Sequence, residues 1–143
     1  MSGTKNRHAS VVAFGPHRGV LILGASGAGK SRLALALIDQ GAELVADDQV
    51  VLMAQGGSLY ARAPRAIAGM IEARGVGLLR LSHRRLAQIA LVVDLDRPRG
   101  ARLPKPDTIT IAGVTLICLP GTAKAPFARA IAHYISGAGC TEA

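Results

Sequence analysis

The sequence predicts an α/β chain of α+β character, with one strand–loop–helix unit set in a mixed, mostly antiparallel sheet. Three observations carry that prediction. Gly24-Ala25-Ser26-Gly27-Ala28-Gly29-Lys30-Ser31 follows the apolar run Gly19-Val20-Leu21-Ile22-Leu23 and precedes a helical one, so a glycine-rich turn joins a strand to a helix. Only two segments keep a sustained helical spacing, too few to cover both faces of an alternating parallel sheet. The later apolar runs are separated by short glycine turns and read as hairpins. The 143 residues correspond to one domain, residues 1–143.

In chain order, Ala9 to Phe14 reads as the first strand, and Gly15-Pro16-His17-Arg18-Gly19 as a turn. Val20 to Leu23 is the strand before the glycine-rich loop. In the helix from Arg32 to Gln40, Leu33 pairs with Leu37 and Ala34 with Ile38 at i,i+4 spacing, and Gly41 caps its end. Glu43 to Ala46 is a short strand ending at Asp47-Asp48. Val50 to Ala54 and Ser58 to Arg62 form a hairpin around Gln55-Gly56-Gly57. Gly69 to Glu72 and Val76 to Leu81 are short apolar runs flanking Arg74-Gly75, and Ser82 to Leu86 suits one short helix. Gln88 to Leu95 is a strongly apolar strand. Thr108 to Ile111 and Val114 to Leu119 turn at Ala112-Gly113. Helical spacing returns from Lys124 or Ala125 to Ile135, through Ala128, Ile131, Ala132 and Ile135.

Composition narrows the class. Aromatic residues make up 3% of the chain, so the core is built from Leu, Ile, Val and Ala. No apolar run approaches the roughly 20 residues of a membrane span, and the polar N-terminus has no signal-peptide core. Cys118 and Cys140 are the only cysteines and read as free thiols of a reducing cytoplasm. The formal charge is +8, with many arginines between Arg62 and Arg102. That excess suits phosphate ligands or an acidic partner as well as a solvated surface. Scarce aromatics argue against single-stranded nucleic acid, and no element reads as a duplex-recognition helix.

Gly24 to Ser31 fits the Gly-x-x-x-x-Gly-Lys-Ser/Thr pattern without a mismatch. Glycines allow several N–H groups to point at one anion, and the following helix N-terminus adds partial positive charge. In that pattern Lys30 meets the outer phosphates and Ser31 a magnesium ion. A phosphate with magnesium also calls for carboxylates. Asp47-Asp48 and Asp94 are the two candidates, and Asp94 after Ala90-Leu91-Val92-Val93 better matches an apolar-run-plus-Asp metal motif. In an extended segment Asp47 and Asp48 point to opposite sides, one to a substrate and the other to a metal or to Arg74. Glu72 stands in an apolar run, where a charge needs a partner or a metal, and a salt bridge to Arg74 is the equal alternative. His8 reads as a solvated terminal histidine. Arg102, between prolines in Arg102-Leu103-Pro104-Lys105-Pro106, reads as an exposed basic loop or a phosphate contact.

Four features in order give the chain its resemblance to a family: His8, the loop Gly24 to Ser31, Leu44-Val45-Ala46-Asp47-Asp48-Gln49-Val50, and Glu72-Ala73-Arg74-Gly75-Val76-Gly77. Together they resemble the catalytic domain of HPr kinase/phosphorylase, from about His8 to about Leu119. The resemblance implies a P-loop fold similar to the nucleotide-binding core of phosphoenolpyruvate carboxykinase. It implies ATP- and Mg2+-dependent phosphorylation of a serine on an HPr-type phosphocarrier. It gives Gly24 to Ser31 the nucleotide phosphates, Ser31 and Glu72 the magnesium, and the Asp47/Asp48 pair the role of base. Lys30, His8 and Arg102 would assist the phosphoryl group. The preference between carboxylates thereby moves from Asp94 to Asp47/Asp48.

The chain also departs from the family. Almost nothing precedes His8, so it looks like the short form seen in alphaproteobacteria, without the N-terminal domain. The family's Pro-Gly-Arg-Asn-type segment is here Pro120-Gly121-Thr122-Ala123-Lys124, without the arginine tied to phosphate removal. A homo-oligomer, a hexamer in the family, is expected. A small-metabolite kinase and a nucleotide-sensing module without transfer are the alternative readings.

Overall fold

The strand that leads into the glycine-rich loop is buried on both faces, and the other elements are layered around it. A computed structural model describes residues 3–97 and 107–137. The order is β1 (Gly3–Arg7), β2 (Ser10–Ala13), β3 (Gly19–Leu23), α1 (Lys30–Asp39), β4 (Glu43–Ala46), β5 (Val50–Gln55) and β6 (Ser58–Arg62). There follow a single 3₁₀ turn (Arg65–Ile67), β7 (Met70–Ala73), β8 (Gly77–Arg80), β9 (Ala87–Asp94), β10 (Asp107–Ile111), β11 (Val114–Pro120) and α2 (Ala125–Ile135).

The main sheet runs β1-β5-β6-β9-β3-β2-β4, with β11 also beside β9 and β10 beside β11. β9 is parallel to β3 and to β11, and the other pairs are antiparallel. β7 and β8 form a separate hairpin. The fold is therefore mixed α/β with a mostly antiparallel sheet, as expected from the hairpins. β9 changes partners along its length, meeting β6 through Ala87 and Gln88 and β11 through Val92 to Asp94.

Strand alternation places two cores on the two faces of β3. Val20 and Ile22 join Val12, Leu91 and Val93 under the helices, which contribute Leu33 and Leu37 from α1 and Ile131 and Ile135 from α2. Leu21 and Leu23 face the other way, with Val11, Val92, Leu52, Leu59, Ile111 and Cys118. Two helices suffice because strands, not helices, cover the second face. Each fully buried Leu or Ile side chain contributes about 1.5–3 kcal/mol over leaving it exposed. Gly56 and Gly57 have φ of 60° and 82°, and Ala112 and Gly113 have 51° and 82°. Positive φ at both central residues is the two-residue turn that matches the twist of a hairpin.

Three expectations are corrected. Ser82 to Leu86 is not helical: His83 bridges Leu44, and the Arg84 N–H donates to the Leu44 carbonyl at 2.8 Å. The edge of β4 takes this backbone instead. The short helical turn lies at Arg65–Ile67, directly after Pro64. A strand, β1, also precedes the expected first one and pairs with β5. Its residues Thr4 to Asn6 are exposed, so no apolar periodicity marks it. His8 thus lies between β1 and β2 rather than before all strands. Arg102 and Cys140 lie outside the described residues. No described helix is long and apolar enough to cross a membrane.

Gly121, after β11, is packed so closely that a Cβ would lie 2.5 Å from Val93 Cγ1 and 2.6 Å from the Phe127 ring. Gly121→Ala is expected to cost about 1–3 kcal/mol by overpacking, read as a lower urea midpoint at an unchanged m-value. Cys118 is a buried free cysteine, and burial pushes its thiol up from the ordinary 9.0. In a Cys140→Ser background, Cys118 should resist a thiol reagent at about pH 8 until urea unfolds the chain. Immediate labelling of the native protein would contradict its burial. The native state holds this proton longer than the unfolded one, so the thiol's contribution to stability is lost as pH rises past the ordinary value.

Candidate active site

β3 ends at Leu23, and the chain turns through Gly24 to Gly29 before α1 begins at Lys30. Gly27 and Gly29 take φ of 84° and 108°, which side chains rarely adopt. A Cβ at Gly29 would also lie 2.9 Å from Ala123 Cβ, so both backbone angle and space call for glycine there. The turn is tied at its start, where the Ala25 N–H donates to Asp96 Oδ2 at 2.7 Å and the Ala28 N–H to the Ala25 carbonyl at 2.9 Å. Helix α1 has no side-chain cap. Among the described residues, no protein acceptor meets the N–H groups of Gly27, Gly29, Lys30, Ser31 or Arg32. These donors and the helix N-terminus make a site for negative charge. The Lys30 ammonium folds over the same turn and donates to the carbonyls of Gly24 at 2.7 Å and Ala25 at 3.1 Å.

Beneath Ser31 lies the carboxylate of Asp47, 5% exposed. The Ser31 hydroxyl donates to its two oxygens at 2.8 and 2.9 Å. The hydroxyl of Ser10, itself buried at the start of β2, donates at 2.7 Å. The Glu72 N–H on β7 donates at 3.2 Å. The adjacent Asp48 has φ 72°, and the Gln49 N–H reaches back to the Asp47 carbonyl at 2.8 Å. That tight three-residue turn drives the two side chains apart. Asp48 points outward with its side chain 70% exposed, 3.7 Å from Nδ1 of His8.

A cavity of about 310 Å³ opens over this arrangement, lined by the glycine-rich turn and by Ser10, Lys30, Ser31, Asp48, Glu72 and Arg74. The structure thus brings Gly24 to Ser31, Asp47, Asp48 and Glu72 together, with His8 at the Asp48 side. Asp94 does not line this cavity: its Oδ1 accepts the Asp96 N–H at 2.9 Å, and its Oδ2 lies 3.8 Å from Arg97 Nε. No ion pair joins Glu72 and Arg74 among the described residues, and both line the cavity. Ser10 and Asp96 were not singled out in the sequence. A serine opening an apolar strand is a signal that could have found Ser10, since a buried hydroxyl needs a partner. Asp96 shows no such signal in its exposed strand-end context.

Magnesium takes oxygen donors, and proteins usually supply it one or two carboxylates while substrate phosphates supply more. Ser31 and Glu72 line the cavity and offer a hydroxyl and a carboxylate of that type, with the buried Asp47 carboxylate behind Ser31. Among the described residues no three His, Cys, Asp or Glu converge into a protein-only metal cage.

The family model for the HPr Serine kinase C-terminal domain matches residues 1–103. The chain belongs to this HPr serine kinase family. HPr kinase/phosphorylase of Brevibacillus brevis is 43% identical over 86 residues, 54% of this chain and 28% of that protein. HPr kinase/phosphorylase of Clostridium beijerinckii is 48% identical over 61 residues, 43% of this chain and 20% of that protein. The match therefore spans 20–28% of the length of these curated relatives. The solved Hpr(Ser) kinase/phosphatase from Coxiella burnetii superposes with a TM-score of 0.78 at 25% identity, covering 92% of this chain and 94% of that one. The mixed sheet of this HPr kinase family member thus follows a known architecture over nearly all of its length.

Asp47 and Asp48 should differ sharply in stability measurements. Asp47→Ala leaves the hydroxyls of Ser10 and Ser31 and the Glu72 N–H without their acceptor. It should cost about 1–3 kcal/mol or more in urea unfolding. Asp48→Asn keeps a residue type that tolerates positive φ and should stay within about 0.5 kcal/mol of the parent. Equal effects would contradict the buried-and-exposed division of the pair.

Proposed function

We propose that this chain phosphorylates a serine of an HPr-type phosphocarrier protein, using ATP and magnesium. One observation carries the reading: a turn with unclaimed N–H groups and a lysine shares a cavity with an open carboxylate. The family membership supports the same direction. We read Gly24 to Ser31 as a P-loop, in a fold similar to the nucleotide-binding core of phosphoenolpyruvate carboxykinase. Its amides and Lys30 hold the ATP phosphates, and Ser31 and Glu72, with Asp47 beneath Ser31, hold magnesium. When bound, the ion would neutralise charge on the phosphate oxygens.

A serine hydroxyl is a poor nucleophile at neutral pH and needs a positioned base. Within the Asp47/Asp48 pair, Asp48 opens on the cavity and takes the serine proton, while Asp47 orients Ser31. The serine oxygen forms its bond to the terminal phosphorus as the bond to the ADP oxygen breaks, and ADP leaves with that electron pair. Lys30 and Arg74 lie on the same cavity to stabilise the charge that builds up on the phosphoryl oxygens. His8, beside Asp48, and Arg102 assist the phosphoryl group in this reading. The missing arginine near Gly121 restricts the proposal to the kinase direction. The protein works in the cytoplasm as a homo-oligomer, a hexamer by resemblance, without membrane or nucleic acid.

Incubation of the full chain with ATP, magnesium and an HPr-type protein should yield one phosphoserine, mapped by mass spectrometry. Lys30→Ala and the double change Asp47→Ala/Asp48→Ala should each lower transfer at least about 100-fold. Asp48→Asn should lose about 10²–10⁴ in kcat while ATP still binds. Chelation of magnesium should stop transfer. Unchanged transfer in the lysine or double-aspartate variant would overturn the assignment.

A further inference from the structure

Ser10 is 0% exposed, yet it stands where packing asks for no hydroxyl. It opens β2 and pairs with Ile22 of β3, while Val12 pairs with Val20. Residues opposite each other in a sheet share a face, as do residues two apart in a strand. Ser10 therefore ends an apolar row of Val12, Val20 and Ile22 that packs under the helices. An aliphatic side chain would suit that position, whereas a buried hydroxyl costs free energy unless it is hydrogen-bonded. The partner is Asp47, whose Oδ1 accepts the Ser10 hydroxyl at 2.7 Å. Among the described residues the Ser10 side chain makes no other hydrogen bond.

A carboxylate turns easily about its last torsion, which has broad, two-fold preferences. Hydrogen bonds must therefore set the plane of Asp47. Its Oδ1 accepts from Ser10 and Ser31, and its Oδ2 from Ser31 and from the Glu72 N–H. The Glu72 bond is the longest of these, at 3.2 Å, and the Ser10 bond the shortest. Ser31 borders the cavity, and its hydroxyl has one proton and two lone pairs. With that proton committed to Asp47, the Ser31 oxygen meets the cavity with lone pairs, as a cation requires. A hydroxyl free to rotate would turn its proton toward the cavity part of the time and repel a cation. Groups hydrogen-bonded behind a metal ligand fix its orientation, and losing one typically lowers metal affinity about 10–100-fold.

We propose that Ser10 is a positioning residue for magnesium: it locks the plane of Asp47, which in turn holds the Ser31 oxygen ready for the cation. This role rests on the magnesium reading of Ser31 given above. Ser10 acts through Asp47 and Ser31 and is not itself a ligand. The start of β2 thereby governs both aspartates, since the Ala9 N–H also donates to the Asp48 carbonyl at 3.2 Å.

The test measures ADP binding to the full chain by calorimetry, in excess EDTA and across a magnesium series. Magnesium should tighten ADP saturably in the parent. Ser10→Ala should leave ADP affinity in EDTA nearly unchanged and weaken the apparent magnesium affinity about 10–100-fold. Ser10→Thr restores the hydroxyl and should recover most of that affinity, whereas Ser10→Val, of similar shape, should not. In an Asp47→Asn background, Ser10→Ala should weaken magnesium little further, because both changes act through one side chain. Should Ser10→Ala fail to fold, Ser10→Cys, whose thiol is a weak donor, should still lower magnesium affinity. A lower urea midpoint with unchanged magnesium affinity would reduce Ser10 to a structural contact and overturn the proposal. So would equal magnesium affinities in the Thr and Val variants, or full additivity with Asp47→Asn. ADP binding that is absent from the parent, or indifferent to magnesium there, would remove the nucleotide–magnesium reading itself, and this role with it.

Discussion

The buried carboxylate of Asp47 is the constraint on which the site depends. A charge removed from water must be met by hydrogen bonds, or the fold pays several kcal/mol. Asp47 is met from three directions: by Ser10 of β2, by Ser31 at the start of α1, and by the backbone of Glu72 on β7. One side chain therefore ties the central sheet, the glycine-rich turn and the separate β7–β8 hairpin into a single arrangement. Among the described residues the hairpin makes no ladder with the main sheet. Its N–H bond to Asp47, together with the burial of Ile71 beneath α1, places Glu72 and Arg74 over the cavity.

The parallel strands supply the other half of the geometry. Leu23 of β3, Asp94 of β9 and Pro120 of β11 fall in register at one end of the sheet. The three connections that leave those ends meet there. The Asp96 carboxylate accepts the Ala25 N–H, the Gly121 N–H donates to the Asp94 carbonyl at 3.3 Å, and Ala123 packs against Gly29. Ligands of open α/β sheets commonly bind outside the carboxyl ends of parallel strands. Here only the three central strands obey that geometry. The antiparallel hairpins serve as cover for the face of β3 that lacks helices.

Much of this was legible in the sequence, and the gaps have physical causes. The Gly-Lys-Ser pattern located the turn because its glycines answer to backbone angles that few residues tolerate. Gly56-Gly57 and Ala112-Gly113 located hairpins for the same reason. Periodicity found the strands with buried faces and missed β1, whose exposed residues form no apolar face to detect. Ser82 to Leu86 misled because its pattern is short, while the partner that decides its conformation, Leu44, lies about 40 residues away. In the site, residue types could place Asp47-Asp48 at a strand end. They could not say which aspartate faces inward, since that depends on the pairing of β2 with β4 and on the φ of Asp48.

Two adjacent carboxylates at one strand end repel each other if both face the same cavity. The backbone at Asp48 resolves this at the cost of a strained angle, φ 72°. Strain of that kind costs about 1–3 kcal/mol and persists only where the surroundings over-determine it. Here the Ala9 N–H holds the Asp48 carbonyl at 3.2 Å, and the Gln49 N–H holds that of Asp47. Both sides of the turn are thus fixed before any side chain is considered. The result is a division of labour between the two carboxylates. One carboxylate is sealed among three donors, where its orientation is set. The other stands in the open beside His8, where it can meet an incoming hydroxyl. The proposed kinase reading uses both properties, so the strained turn, more than the presence of two aspartates, is what the chemistry requires.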